Sequence, residues 1–564
     1  MILSKMDYEN ANKKEYLLIK NNCYSSSSLA GNTRKYHGLL VKNDYVILSA
    51  IDDYVFDKRL SCFEFSNCLD CECLKYTYSY VHPAEFHYWF SDVFVKKKIV
   101  LEDGFVSIIY SSSEPVEFKL IPLFAMREIH QTRKNFEDVS FGNMVIKSKD
   151  ESAILKILAS ELNIERVDYI YWNVEYRRDR ERGYEFRENL YAPIKIVANT
   201  DKIEVRVGDL NKNEVNIPNK LNFFNPVEML EMACDSFLRD GYIVAGYHWF
   251  IDGWGRDTFV SIPGLLLERG KFDCAKKIFL NFARKIKDGL IPNKLKDLDY
   301  NSSDASLWFI YALKKFYEKT GDKNFIYRLK VYVEEIVEFY PNSDVAKLKG
   351  NLIYVKPKTT WMDTKYTPRD GCPVEINALW INALDFSDRL GIDIPTNVED
   401  SIQKFKKVFW NRQYFKDLKD DESFRPNQVI ALSILSDIER FPEAKNVFYM
   451  VKKKLLTPYG LRTLSPDHKE YRGKFIGDES YHNGCVWPWL LGFYIDLGLK
   501  YNIKIEPEIL MPLFSHIYEA GIGFISEIFD GDAPHTPEGC IAQAWSVAEV
   551  YRAFKMLSYP LNKT

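Results

Sequence analysis

The chain is 564 residues long, more than one hydrophobic core usually supports, so two or more domains are expected. Hydrophobic residues make up 46% and charged residues 27%, the balance of a soluble globular protein rather than a disordered or membrane one. Lys plus Arg (76) nearly cancel Asp plus Glu (79), and a net charge of −3 excludes the strong field that gathers nucleic acid or an anionic membrane; a neutral partner fits better.

From Met1 to Leu18 there is no charged-then-apolar signal region, and no apolar run in the chain reaches about 18 residues, so a cytoplasmic protein is expected. Ser25 to Ser28 reads as a polar loop. Ten cysteines are scattered, and the close set Cys62, Cys68, Cys71 and Cys73 lacks a later His or Cys at zinc-finger spacing. No metal site and a reducing compartment are therefore expected. Up to about residue 215 the pattern alternates with period two, as in Tyr45 to Leu48, Phe94 to Leu101 and Val116 to Leu123. Turn signals at Glu102-Asp103-Gly104 and at Ser111 to Pro115 separate these runs. The rhythm predicts an antiparallel β-sandwich over residues 1–220.

From about residue 225 the period becomes helical. Helices are predicted over Val227 to Arg239, Thr258 to Leu267, Phe272 to Ile286, Ala305 to Lys319, Lys323 to Tyr340, Val374 to Leu390 and Val398 to Val408. Further ones are Pro426 to Leu435, Pro442 to Lys453, Gly484 to Gly498, Pro507 to Ala520 and Ile541 to Met556. Long loops rich in Trp, Gly, Pro and Asp intervene, at 246–257 and 457–483 for example. A dozen helices joined by such loops predict an (α/α)6 toroid barrel over residues 221–564, with the loops crowding one end.

The loops hold the candidate chemistry. Trp249 to Thr258 brings Trp254, Arg256 and Asp257 together; Asp257 is either a helix N-cap or, with Arg256, a grip on sugar hydroxyls. Asp304 stands where a helix begins, as a structural acid often does. Tyr300, Trp308 and Trp361 nearby also offer the apolar surroundings that a general acid needs. Glu527, alone in the apolar run Gly523 to Phe529, is either the exposed position of a short strand or a carboxylate that deprotonates water. Two such carboxyls about 6.5–9.5 Å apart are what inverting glycoside hydrolysis requires. Asp363 after Trp361 and Glu375 at a helix start are either solvated or capping acids, or site acids. His482, among the aromatic residues Tyr481, Trp487 and Trp489, is either a satisfied structural donor or a site residue. Gly-rich phosphate loops, Gly-x-Ser-x-Gly and His-Glu-x-x-His are absent from the sequence.

Nearly the whole chain resembles the archaeal and bacterial glycogen-debranching family, whose members share the amylo-α-1,6-glucosidase domain. The matching segments are Gly31-Asn32-Thr33-Arg34-Lys35-Tyr36-His37-Gly38-Leu39-Leu40, Trp254 to Thr258, Gly289 to Asn293, Asp304 to Trp308, Pro373 to Trp380, Arg425 to Gln428, Thr457 to Arg462 and Ser526 to Gly531. The resemblance implies a β-sandwich joined to a glucoamylase-like (α/α)6 barrel that acts on α-1,6-linked glucose. It implies Asp304 as general acid, Glu527 as general base, and Arg256 with Asp257 as the glucose-gripping pair; Trp254, Trp308, Trp361, Asp363, Glu375, His482 and Trp487 complete the expected substrate-binding set. Two departures stand out: Cys23 to Ser28 replaces a Gly-rich run, and Asp252-Gly253 adds a residue before Trp254. The first part reads as strands rather than alternating strands and helices, so no second, transferase barrel is expected.

The expected partner is an α-glucan such as glycogen or its limit dextrin, without nucleic acid or membrane, and the sequence leaves the oligomeric state open. Acid, base and water suffice, so no cofactor is expected. An exo-acting α-1,4-glucosidase, a glycoside phosphorylase and a non-catalytic glucan-binding scaffold are the alternatives.

Overall fold

A computed structural model of the chain describes residues 2–4, 7–65, 68–69, 77–90, 92–210, 225–435 and 439–558. The backbone divides into two units, Met1–Asn225 with Tyr518–Ile522, and Pro226–Ile517 with Gly523–Thr564. The boundary expected at residue 220 falls outside the described residues.

The first unit is built on antiparallel strands: β1 (Glu15–Lys20), β2 (Cys23–Ser28), β3 (Gly38–Lys42), β4 (Tyr45–Val55), β5 (Val93–Glu102), β6 (Phe105–Glu128), β7 (Asn163–Glu175) and β8 (Arg187–Gly208). Strands β1 to β4 form a meander, β4 and β5 both pair with β6, and β6 pairs with β8, which carries β7 on its other edge. Period two is visible in β5, where Val93, Val95, Lys97 and Ile99 are buried and the residues between them are partly exposed. Lys97 is tolerated on the buried face because its Nζ lies 2.6 Å from Asp53.

Two local expectations fail here. Ser25 to Ser28 belongs to β2 rather than to a loop, and all four serines are buried. A hydroxyl can enter a sheet when it finds an acceptor: Ser26 Oγ donates to the Tyr16 carbonyl (2.8 Å) and Ser28 Oγ to the Gly31 carbonyl (2.7 Å). The segment Ser111 to Pro115 does not end a strand. It forms a register shift inside β6, where Pro115 sits exposed and needs no ladder hydrogen bond. Of the clustered cysteines, Cys62 is disulfide-bonded, while Cys71 and Cys73 lie outside the described residues.

Six helices organise the second unit: α1 (Gly255–Leu265), α2 (Ala305–Thr320), α3 (Val374–Arg389), α4 (Asn427–Leu435), α5 (Leu490–Lys500) and α6 (Ala544–Ser558). Each packs on the next, and α6 packs back on α1, so the contacts close into a ring. Ring helices are buried over most of their surface, and every residue of α1 is buried, its polar Arg256, Asp257, Thr258 and Ser261 included. The helix Lys323–Phe339 lies against α2 and α3, Val398–Phe409 against α3 and Ala444–Lys454 against α5; each buries only one face. Among the described residues no helix is long and apolar enough to cross a membrane.

The predicted helix Gly484 to Gly498 begins only at Leu490. Pro488 disfavours helical backbone in the residue before it, and Val486–Trp487 pairs as a strand with Gly460–Arg462. Similarly, Ala542–Gln543 pairs with the strand Tyr242–Tyr247 before α6 starts, and the predicted helix Pro507 to Ala520 ends at His516.

Candidate active site

The loop before α1 is placed by close backbone contact. Gly255 N–H donates to the Asn293 carbonyl (2.9 Å), and a Cβ at 255 would stand 2.5 Å from the Pro292 carbonyl oxygen. Only glycine lets Trp254-Gly255-Arg256-Asp257 lie on Gly289 to Asn293. Trp254 is the N-cap residue of α1, which puts Arg256 and Asp257 in its buried first turn and removes the N-cap reading of Asp257.

Arg256 Nε lies 2.8 Å from both oxygens of Asp304. Its other nitrogens reach the Thr359 carbonyl (3.2 Å) and stand 3.6 Å from Asp363 Oδ2. Asp304 is buried at the N-cap of α2 but makes no side-chain cap bond; Ser302 Oγ donates to it at 2.6 Å. Its surroundings are therefore ionic rather than the apolar ones expected from Tyr300, Trp308 and Trp361. The Tyr300 hydroxyl instead donates to the Lys285 carbonyl.

Glu527 is buried just before the strand Ile528–Phe529, which removes the exposed-strand reading. One of its oxygens accepts the Tyr481 hydroxyl and the other the Cys540 N–H at 2.8 Å. A Cβ on Gly539, whose φ is +69°, would lie 2.4 Å from that second oxygen, so the turn holding Glu527 requires glycine. Asp257 joins the two acids. Burial pushes its carboxyl up to about 7, Arg256 opposes this, and the charges of Glu527 and Asp304 both add to it. Gln543 Nε2 donates to Asp257 Oδ1 at 3.3 Å.

One wall is aromatic. His482 stacks on Trp487 (centroids 5.4 Å, 16°), Trp361 meets His482, Trp487 and Trp489 edge-on at 5.2–5.4 Å, and Trp489 stacks on Trp545 at 5.0 Å. Burial drives the His482 imidazole well below its ordinary pKa, helped by Arg425, Arg256 and Arg369, so the ring is neutral. Its Nε2 stands 3.9 Å from Asp363, whose side chain remains 44% exposed. Enclosure by protein also pushes the Asp363 carboxyl up against the pull of Arg256. Both ring nitrogens of His482 and the indole N–H groups of Trp254, Trp489 and Trp545 are buried without a hydrogen-bond partner among the described residues.

Arg256, Asp257, Asp304, Asp363, Glu527, His482, Trp361 and Trp487 thus form one neighbourhood. Two expected members are elsewhere. Trp308 is buried on α2 with its ring edge-on to Tyr311 and Phe493, so packing explains it. Glu375 is bound by Arg369 through both oxygens, in a separate ionic cluster with Asp417. Two residues that touch the site acids, Tyr481 and Gln543, were not singled out for a role. For Tyr481 the available signal was its place beside His482; for Gln543 there was none, because its partner is 286 positions away.

Residues 232–552, more than half of the chain, match the family described as amylo-alpha-1,6-glucosidase. The chain belongs to that family. Residues 20–206 of this family member also match the description glycogen debranching enzyme N terminal. A glycogen debranching enzyme of Saccharomyces cerevisiae is 25% identical over 442 aligned residues, covering 52% of this chain and only 28% of the yeast protein. Similar solved structures include a GH63 mannosylglycerate hydrolase from Thermus thermophilus (13% identity, TM-score 0.45, covering 59% of this chain and 100% of that one). A rhamnosidase from Klebsiella oxytoca is 11% identical with a TM-score of 0.45, covering 80% of this chain and 87% of that one.

Proposed function

We propose that this protein is a cytoplasmic, inverting glycoside hydrolase that removes single α-1,6-linked glucose residues from a trimmed glycogen-like glucan. The observation that carries this reading is the pair of buried carboxyls, Asp304 and Glu527, that share Asp257 as an electrostatic neighbour though they come from segments far apart in the chain. They are held differently, Asp304 by a guanidinium and Glu527 by a phenol and a backbone N–H. Such asymmetry suits two roles once sugar draws Arg256 away, because a guanidinium in contact favours the charged carboxylate and a general acid must carry a proton. The family membership supports the same chemistry, the closed ring of helices supports an (α/α)6 toroid for the second unit, and the antiparallel strands support a sandwich for the first.

In this mechanism Asp304 gives its proton to the glycosidic oxygen as the C1–O6 bond breaks. Glu527 takes a proton from water as the water oxygen bonds to C1 from the opposite face, releasing β-glucose. Sugar entry draws Arg256 from Asp304 toward substrate hydroxyls, with Asp257 and Asp363 as acceptors beside it. The uncommitted polar atoms of His482, Trp254, Trp489 and Trp545 suit a neutral polyol, and the aromatic wall suits its apolar ring faces. Acid, base and water complete the reaction without a metal or organic cofactor.

Anomer-resolved NMR of a singly branched dextrin tests this: β-glucose appears first and equilibrates afterwards. First appearance of the α-anomer rejects inversion. Faster release from maltose than from isomaltose moves the specificity to α-1,4 bonds.

A further inference from the structure

We infer that Tyr481 is the positioning residue that holds Glu527 ionised and oriented toward the attacking water; this rests on Glu527 being the base in the reading above. Glu527 is 2% exposed, and a carboxylate so enclosed needs compensation for lost hydration. Two neutral donors contribute to it, one on each oxygen: the Tyr481 hydroxyl and the Cys540 N–H. A carboxylate offers about four lone-pair sites, and these two bonds occupy two of them.

Tyr481 is braced for the task. Its ring packs against His482 (centroids 4.7 Å) and edge-on against Trp487 (4.9 Å), its carbonyl accepts the Trp487 indole N–H at 3.1 Å, and its backbone N–H donates to Gly477. Burial, followed by the charge of Glu527, raises the phenol well above its ordinary range, so it remains a donor throughout the working pH range. A neutral donor stabilises the carboxylate without delivering a competing proton, whereas a cation at the same place would weaken it as a base. The aromatic wall therefore also fixes the aim of the base.

The test compares Tyr481→Phe with wild type and Glu527→Gln on isomaltose or panose. With the fold intact by thermal melting, Tyr481→Phe is expected to lower kcat about 10- to 100-fold, leave KM within about threefold, and move the acidic limb of the kcat/KM profile up by about one pH unit. Incorporation of 3,5-difluorotyrosine at 481, a stronger donor of nearly the same shape, moves that limb down. An inactive Glu527→Gln beside a Tyr481→Phe enzyme with wild-type kcat and an unmoved acidic limb overturns the inference. An acidic limb that ignores the fluorinated residue does so as well, even if Tyr481→Phe fails to fold. Full activity in Glu527→Gln removes the proposed base itself, a separate failure that takes the positioning role with it.

Discussion

The second unit buries two clusters of arginine and carboxylate that look alike in sequence and differ in balance. In the first, Arg369 and Arg425 face Glu375 and Asp417; Arg369 spans both acids, Thr360 lies 3.2 Å away, and Asn427 donates to Asp417 at 2.7 Å. In the second, Arg256 stands among Asp304, Asp363 and Asp257, with Glu527 also acting on Asp257, and Asp363 open to solvent. Equal numbers of guanidinium and carboxylate groups, saturated with hydrogen bonds, make a scaffold. An excess of carboxylates around one guanidinium distinguishes the second cluster; raised proton affinity does not, since burial raises Glu375 as well as Asp257 and Asp363. The clusters are mechanically linked: Asn427 accepts the Trp361 indole N–H, and Arg425 donates to the His482 carbonyl, so the balanced cluster carries the wall of the unbalanced one.

The largest expected effect lies in the unbalanced cluster. Asp304→Asn and Glu527→Gln should each lower kcat of the folded protein roughly 10,000-fold, about 5.5 kcal/mol of barrier, and Asp304→Asn should also lose stability because the buried Arg256 guanidinium loses its bound carboxylate. Glucose release near the wild-type rate in both variants would erase the distinction between the clusters. In the balanced cluster, Glu375→Ala strands part of a buried guanidinium and should cost about 3–5 kcal/mol in urea unfolding, while KM of the folded protein stays within about twofold. A tenfold rise in KM without loss of stability would return Glu375 to the sugar-binding set.

Asp257 gives a pH-dependent contrast. Because its folded-state pKa is raised to about 7 from 3.8, the native protein holds this proton more tightly than the unfolded chain. Its favourable contribution is complete below pH 3.8 and disappears as pH rises through about 7. Asp257→Asn should therefore gain on wild type by up to roughly 4 kcal/mol between pH 4 and pH 8, read from paired urea melts. A constant difference across that range would show that Asp257 titrates normally. The smallest effect is expected at Trp308→Phe, about 1–2 kcal/mol of stability from lost packing with no change in KM. A raised KM there would place this indole against substrate.

Much of the molecule was readable from local pattern. Alternation exposed the strands of the first unit, the helical period exposed the second, and the motifs around Arg256, Asp304 and Glu527 marked the loops that meet. What local pattern missed was decided by partners outside the segment itself. Ser25 to Ser28 read as a loop because hydroxyls look polar until their carbonyl acceptors are known. Gly484 to Gly498 read as one helix because Val486 and Trp487 fit either period; the strand Gly460–Arg462 claims them. Glu375 and Asp304 are both acids at helix starts, and only their partners separate them: Arg369 and its link to Asp417 for the one, Arg256 for the other.

The sequence by itself determined the secondary-structure classes, the family and the short segments that meet at the candidate site, since periodicity, turn residues and motifs act over a few neighbouring positions. The tertiary structure alone decided which acid is bound by a phenol, which by a guanidinium and which tryptophans are core. Those choices depend on ring closure and on contacts between residues 46, 48 and up to 286 positions apart, where local preference has no reach and packing and charge balance select the partner.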